Sequence, residues 1–325
     1  MNLTTAIDRF LDDRTLKRRS PATIARYRAA LHAWRDWRAR DATASMELTA
    51  VTLVELREYV RYLLIEHVPH STNPRRPAVA RRGLSPNAVR SACNIIRALM
   101  LFCVESGDLA PEWRVWLQQS RLPSPAIEIQ DRAYWDAATV TALCAAAGDD
   151  EDGRRCRAAI WLIYESGMRL DELCRLHDTD TDRARRRARI VGKGRKKRWV
   201  YWGAASATAL DAYLAVRRGA DAGAVLRGTS AHNNGQALSA DALRAQIKRL
   251  ARKAGVTLPP GAPIHAGRHA FAHLMLDGGA AISEIADLMG HGDVRTTMRY
   301  LHERPEILQS IHARALHQAD PAADS

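Results

Sequence analysis

The stretch 119–132 constrains the fold more than any other part of the chain. It holds Pro123 and Pro125, shows no helical periodicity, and separates two regions of different pattern. Each proline lacks a backbone donor and pushes the residue before it out of the helical region, so no helix runs through here. A chain of 325 residues is also long for one domain. We expect a helical domain over 1–118, a linker over 119–132 and a mixed domain over 133–325. The expected fold class is mainly α with a small β-sheet.

The first region repeats a helix-start signal. Ser20-Pro21 and Ser85-Pro86 each place an N-cap residue before a proline at the first helical position. After the first, Ile24, Tyr27, Leu31, Trp34 and Arg38 recur at helical spacing. After the second, Val89, Cys93, Ile96 and Met100 do the same, up to Gly107. Helices are also expected over 5–13 and 52–66. The Pro- and Arg-rich stretch 68–83 reads as a loop. Its Arg75, Arg76, Arg81 and Arg82 can contact phosphate or simply be solvated. In the second region, helical patterns cover 136–147, 154–166, 206–217, 239–254, 266–276 and 283–289. The β-prone runs 188–191 and 198–202 flank Gly192-Lys193-Gly194-Arg195 and read as a hairpin. The segment after Leu316 is expected to fray.

The net charge is +13, and both regions share it. Residues 1–120 carry 19 basic against 12 acidic side chains, and the remainder 30 against 24. Two basic halves suit a clamp around a polyanion, although a generally Arg-rich composition gives the same count. No run of 18 apolar residues is present, so no transmembrane helix or membrane partner is expected. Residues 1–10 lack the pattern of a signal peptide. The five cysteines are scattered and form no C-x-x-C pair. That argues against a disulfide framework and for a reducing, cytoplasmic setting.

Several side chains can carry phosphate chemistry. Gly167 ends a helical run and sets Arg169 at the mouth of the next, with Glu172 one turn on. Arg169 can fork two donors onto phosphate oxygens or pair structurally with Glu172. Lys193 sits between two glycines, where it can donate a proton to a leaving oxygen or serve as a plain basic turn. His265 and Arg268, three apart at a helix start, share a face suited to an anion. His265, His269 and His273 also recur every four residues, a possible zinc pattern, but Arg268 among them argues against a metal. His291 stands nine residues before Tyr300. A tyrosine near a C-terminus often just packs. As a nucleophile it needs nearby positive charge, because a phenol titrates near pH ~10.

Taken in order, these strings resemble the tyrosine recombinase (phage integrase) family. They are S-G-M-R-L-D-E-L at 166–173, G-K-G-R-K-K-R at 192–198, H-A-G-R-H at 265–269, L-M-G-H at 288–291 and T-T-M-R-Y at 296–300. S-P-A-T-I-A-R-Y and S-P-N-A-V look like the family's helical core-binding domain, so the similarity spans roughly 1–310. The resemblance implies a helical core-binding domain followed by an α+β catalytic domain that recombines double-stranded DNA. Tyr300 would attack a phosphodiester to give a 3′-phosphotyrosine. Arg169 and Arg268 would hold the non-bridging oxygens, and Lys193 would protonate the 5′-oxygen. His265 would assist proton transfer at Tyr300, His291 would hydrogen-bond the phosphate, and Glu172 would support the pocket. It implies no cofactor and no metal, two protomers per DNA site, four in the synaptic complex, and a place with the nucleoid in the cytoplasm. The C-terminal segment with Ile307, Leu308, Ile311 and Leu316 would dock on a neighbouring subunit or on its own domain.

Two features depart from the family pattern. Gly267 stands where the family usually has Leu, which would loosen the start of that helix around Arg268. The 68–83 loop is longer than expected. A silent DNA-binding homologue, a type IB topoisomerase-like enzyme and a metal nuclease are the rival readings.

Overall fold

Both Ser-Pro signals start helices. In the computed structural model, Ser20 Oγ accepts the Thr23 N–H at 3.2 Å and Ser85 Oγ accepts the Ala88 N–H at 3.3 Å. Each proline sits where its missing N–H costs no hydrogen bond. The structure describes residues 1–68, 83–118, 125, 133–192, 197–218, 223–230, 234–259 and 263–302, without the side chains of 295, 299, 301 and 302. Lys193, the loop arginines 75, 76, 81 and 82, almost all of 119–132 and the C-terminal apolar segment lie outside the described residues. The chain divides into two compact units, residues 1–129 and 130–325.

The first unit contains α1 (Leu3–Leu16), α2 (Pro21–Arg38), α3 (Leu53–Ile65), α4 (Pro86–Glu105) and α5 (Glu112–Gln118). Helix α4 packs against the other four. It has the length and composition to cross a membrane, although polar residues interrupt its apolar run. Its apolar stripe of Val89, Cys93, Ile96, Leu99 and Cys103 is instead buried in the core of this unit. Helix α5 was not foreseen either. At two turns it shows too little periodicity, yet Trp113 and Leu117 bury one face of it. Arg38, on the inner face of α2, pairs with Glu55 of α3 and donates Nε to the Ser45 carbonyl at 2.8 Å.

The second unit runs α6 (Ala137–Ala146), α7 (Glu151–Ser166), α8 (Leu170–Cys174), β1 (Thr181–Asp182), β2 (Arg187–Val191), β3 (Lys197–Tyr201), α9 (Ala204–Leu214), α10 (Ala240–Lys253), α11 (His265–Asp277), α12 (Ile282–Met289) and α13 (Arg295–His302). The three strands form one antiparallel sheet in the order β1-β2-β3. Ala188 faces Val200, and Ile190 faces Arg198. Opposed residues share a face of the sheet, so Arg198 points inward with three apolar neighbours. Helix α7 is the hub of this unit, touching α6, α8, α9, α10, α11 and β3.

Gly267 does not loosen α11, which runs unbroken from His265 with Arg268 buried. A Cβ there would lie 2.7 Å from the Trp135 ring and 2.9 Å from Ile163 Cγ2. The buried Trp135 indole, tied by Nε1 to the Pro263 carbonyl at 3.0 Å, occupies the space a leucine would need. Gly267→Leu should therefore overpack this contact and cost at least about 1–3 kcal/mol. Adding Trp135→Ala should restore part of that loss. Denaturant midpoints of the single and double variants measure it.

Candidate active site

Gly167 caps α7 at φ 62°, a left-handed conformation in which a Cβ would also strike Phe271. The chain turns directly into α8, with Arg169 at its N-cap. The Arg169 N–H donates to Glu172 Oε2 at 2.8 Å, and Arg169 Nη1 donates to Glu172 Oε1 at 2.8 Å. Arg198 of β3 forks onto the same carboxylate, Nη1 to Oε1 at 3.0 Å and Nη2 to Oε2 at 2.8 Å. Arg268 Nη1 lies 4.0 Å from Oε2. Burial alone would push the Glu172 carboxyl up. The Arg198 hydrogen bonds, the Arg169 N–H and the guanidinium charges outweigh that and hold it at about 2.

The same three arginines close the C-terminal end of α12. Arg198 Nε donates to the Leu288 carbonyl at 3.0 Å, Arg268 Nη2 to Met289, and Arg169 Nη2 to Gly290 at 3.3 Å. These carbonyls have no partner within their own helix and carry its partial negative charge. Arg268 Nη1 also donates to the Gly167 carbonyl at the end of α7. Burial, then repulsion from Arg169, pulls the pKa of Arg268 down to about 9, which still leaves it charged at neutral pH. Its buried Nε has no hydrogen-bond partner among the described residues. Three guanidiniums around one carboxylate leave surplus positive charge and further N–H donors, a setting for an anion with several oxygens.

Tyr300 approaches this region on α13. Its ring is 2 % exposed and packs with Phe271, Leu276, Ile285 and Met289. The hydroxyl lies 2.7 Å from Nδ1 of the buried His269. His269 follows Arg268 on α11, so one helix carries both a buried cation and the partner of the phenol. His273, a turn further on, meets the Tyr300 ring edge-on and stacks against Tyr134. His265 is exposed and packs edge-on against His269, with ring centroids 4.9 Å apart. His291 follows the α12 cap, and its Nδ1 lies 2.7 Å from Thr297 Oγ1, which fixes the orientation of the imidazole.

The structure thus gathers Arg169, Glu172 and Arg268 into one cluster, with His291 next to a carbonyl that Arg169 binds. It places Tyr300 against His269 rather than His265. Among the described residues no cluster of metal-ligating side chains forms. Two contributors were not singled out from the sequence. Arg198 was legible in principle, because strand alternation turns it to the face of Ile190 and Val200. His269 stood in the i, i+4 histidine series, but spacing alone could not say which ring meets the tyrosine.

Comparison with known proteins identifies the family. Residues 134–306 match the model of the phage integrase family. The tyrosine recombinase XerC of Mycobacterium bovis is 32% identical over 249 residues, spanning 73% of this chain and 80% of that protein. The XerC of Corynebacterium efficiens is 31% identical over 310 residues, spanning 94% of this chain and 87% of its own. Among solved structures, the Tn1549 transposon integrase in complex with transposon right end DNA superposes at a TM-score of 0.73 and 16% identity, over 97% of this chain and all of that one. A lambda integrase dimer bound to a COC′ core site gives 0.67 at 15% identity, over 94% and 78%. Similarity at these structural identities speaks to the fold alone. The chain belongs to the phage integrase family of tyrosine recombinases.

The Glu172 carboxylate is the contact most open to test. Its depressed pKa contributes stability that is complete above the ordinary carboxylate value of 4.5 and lost as pH falls through about 2. Glu172→Gln leaves the buried Arg268 and the partly buried Arg198 and Arg169 without their counter-charge and should cost roughly 3–5 kcal/mol at pH 7. Urea unfolding at several pH values should show the gap to wild type narrowing below pH 4.5.

Proposed function

We propose that this chain is a site-specific DNA recombinase that breaks and rejoins DNA through a 3′-phosphotyrosyl bond at Tyr300. The observation that carries the reading is the common scaffold of nucleophile and cations. Tyr300 hydrogen-bonds the residue next to Arg268, and Arg268 meets Arg169 around Glu172. A phosphodiester brought there would find guanidinium donors on its non-bridging oxygens and a phenol beside it. Arg169 and Arg268 stabilise the charge that builds on those oxygens as the phosphorus gains a fifth bond. His291, oriented by Thr297, adds a hydrogen bond to the phosphate. Lys193 donates a proton to the departing 5′-oxygen. His265 assists proton transfer at Tyr300 from the outer side of His269. Glu172 holds the two arginines in place.

The phosphotyrosyl ester conserves the energy of the broken bond, so a second 5′-hydroxyl can attack it without ATP. Protein cations take the part that metal ions play in two-metal nucleases. The partner is double-stranded DNA, in line with the Tn1549 and lambda integrase complexes. We read residues 1–118 as the core-binding domain, 119–132 as the linker and 133–325 as the catalytic domain. Together they bind as homodimers on a site and as a tetramer in synapsis, at the nucleoid in the cytoplasm. Phosphate contacts supply most of the affinity, so binding weakens steeply with salt.

Covalent trapping tests the reading. Host cells making tagged wild type or Tyr300→Phe are lysed in denaturant, and the DNA that stays with the protein is sequenced. Wild type should retain fragments with common endpoints, and Tyr300→Phe background DNA only, while both bind DNA natively. Equal background from both proteins would contradict strand cleavage by Tyr300.

A further inference from the structure

We propose that His269, rather than His265, takes the phenolic proton of Tyr300 when the strand is cleaved, an inference that rests on Tyr300 being the nucleophile. The Tyr300 hydroxyl is 2.7 Å from His269 Nδ1, within reach of direct proton transfer. The phenol is almost wholly buried, so its proton leaves through protein before it reaches water. In the tautomer that carries its hydrogen on Nε2, the His269 imidazole presents Nδ1 to the phenol as an acceptor. His273 also packs against the ring, with centroids 5.5 Å apart. His265 stands on the solvent side of His269, where it can pass the proton outward.

The elements packed against α11 and α13 carry other ionisable groups. Arg268, on the same helix, is bonded to Gly167 and Met289. Tyr134 stacks on His273. Glu165 of α7 accepts the N–H groups of Gly203 and Ser206. On α12, Glu284 accepts the Ala281 N–H, and Asp287 lies one turn before the cap. Helix α13 also carries Arg295, Arg299 and His302.

The step balances. As the Tyr300 oxygen bonds phosphorus, its proton passes to Nδ1 and His269 becomes imidazolium. The bond from phosphorus to the 5′-oxygen breaks, and that oxygen leaves with the proton of the general acid. On rejoining, the incoming 5′-hydroxyl attacks phosphorus and returns its proton to the deprotonated general acid, while the departing phenolate recovers its proton from His269.

The test is single-turnover formation of the covalent adduct across pH. The substrate is a duplex bearing the trapped endpoint sequence with a 5′-bridging phosphorothiolate at the scissile position. Sulfur leaves without a proton, so the profile reports the nucleophile side alone. The wild-type rate should fall as pH drops and His269 is protonated, and level off above that. His269→Ala and His269→Gln should both be slower at pH 7 by about 10²-fold or more. Both should keep rising with pH toward the phenol's own range, near ~10. Glutamine retains a hydrogen-bond acceptor but holds no proton, so a purely positioning role would be rescued by it. A wild-type rate and profile in His269→Gln, with native binding of the duplex intact, overturns the proposal. If wild type itself forms no adduct on this substrate, the recombinase reading fails, and this inference with it.

Discussion

The buried carboxylate of Glu172 is the interaction on which the second unit's site depends. It takes bonds from Arg169 and Arg198 and lies near Arg268, so it draws together α8, β3 and α11. Three guanidiniums this close repel one another, and that repulsion adds to burial, the larger cause, in lowering the pKa of Arg268. Without a counter-charge at the centre, the cluster would open toward water. With it, the arginines stay concentrated, yet one carboxylate leaves most of their positive charge for an incoming anion.

The end of α12 supplies the second half of that balance. Leu288, Met289 and Gly290 offer three consecutive carbonyls, each bound by a different arginine. Gly290 caps the helix at φ 65°, and a Cβ there would press on Arg198. Gly167 plays the matching part at the end of α7. Two left-handed glycines and one carboxylate therefore set the arginines, and the loop leaving α12 carries His291 past them toward α13 and Tyr300. In the proposed function, phosphate binding, charge stabilisation and placement of the nucleophile all trace back to this arrangement.

Much of this was legible in the sequence because its signals are local. Ser-Pro starts, the 3–4 residue spacing of α2 and α4, the Gly-flanked hairpin and the motif strings each lie within about 20 residues. Arg169, Glu172, Arg268, His291 and Tyr300 could be named for the same reason. What escaped depends on contacts distant in sequence. Gly267 looked like a weakness until Trp135, 132 positions earlier, was seen filling the space above it. Arg198 read as one more basic residue of a charged turn, because nothing local announces that Glu172 lies beneath it. The α11 histidines shared a face, but choosing between His265 and His269 required knowing where α13 lies. Helix α4 passed for an ordinary amphipathic helix, and only its burial in the first unit separates it from a membrane span.

The central claim is that Tyr300 becomes covalently linked to DNA, and peptide mapping of the adduct tests it most directly. Protein recovered from denatured cells is treated with nuclease until only a short nucleotide remnant is left, then digested with trypsin. Cleavage after Arg299 and Arg314, with the Arg304–Pro305 bond resisting, releases residues 300–314, in which Tyr300 is the sole tyrosine. The account expects the nucleotide mass on this peptide, localised by fragmentation to Tyr300. A remnant on any other residue, or DNA cleavage that leaves no protein-linked nucleotide, would contradict it.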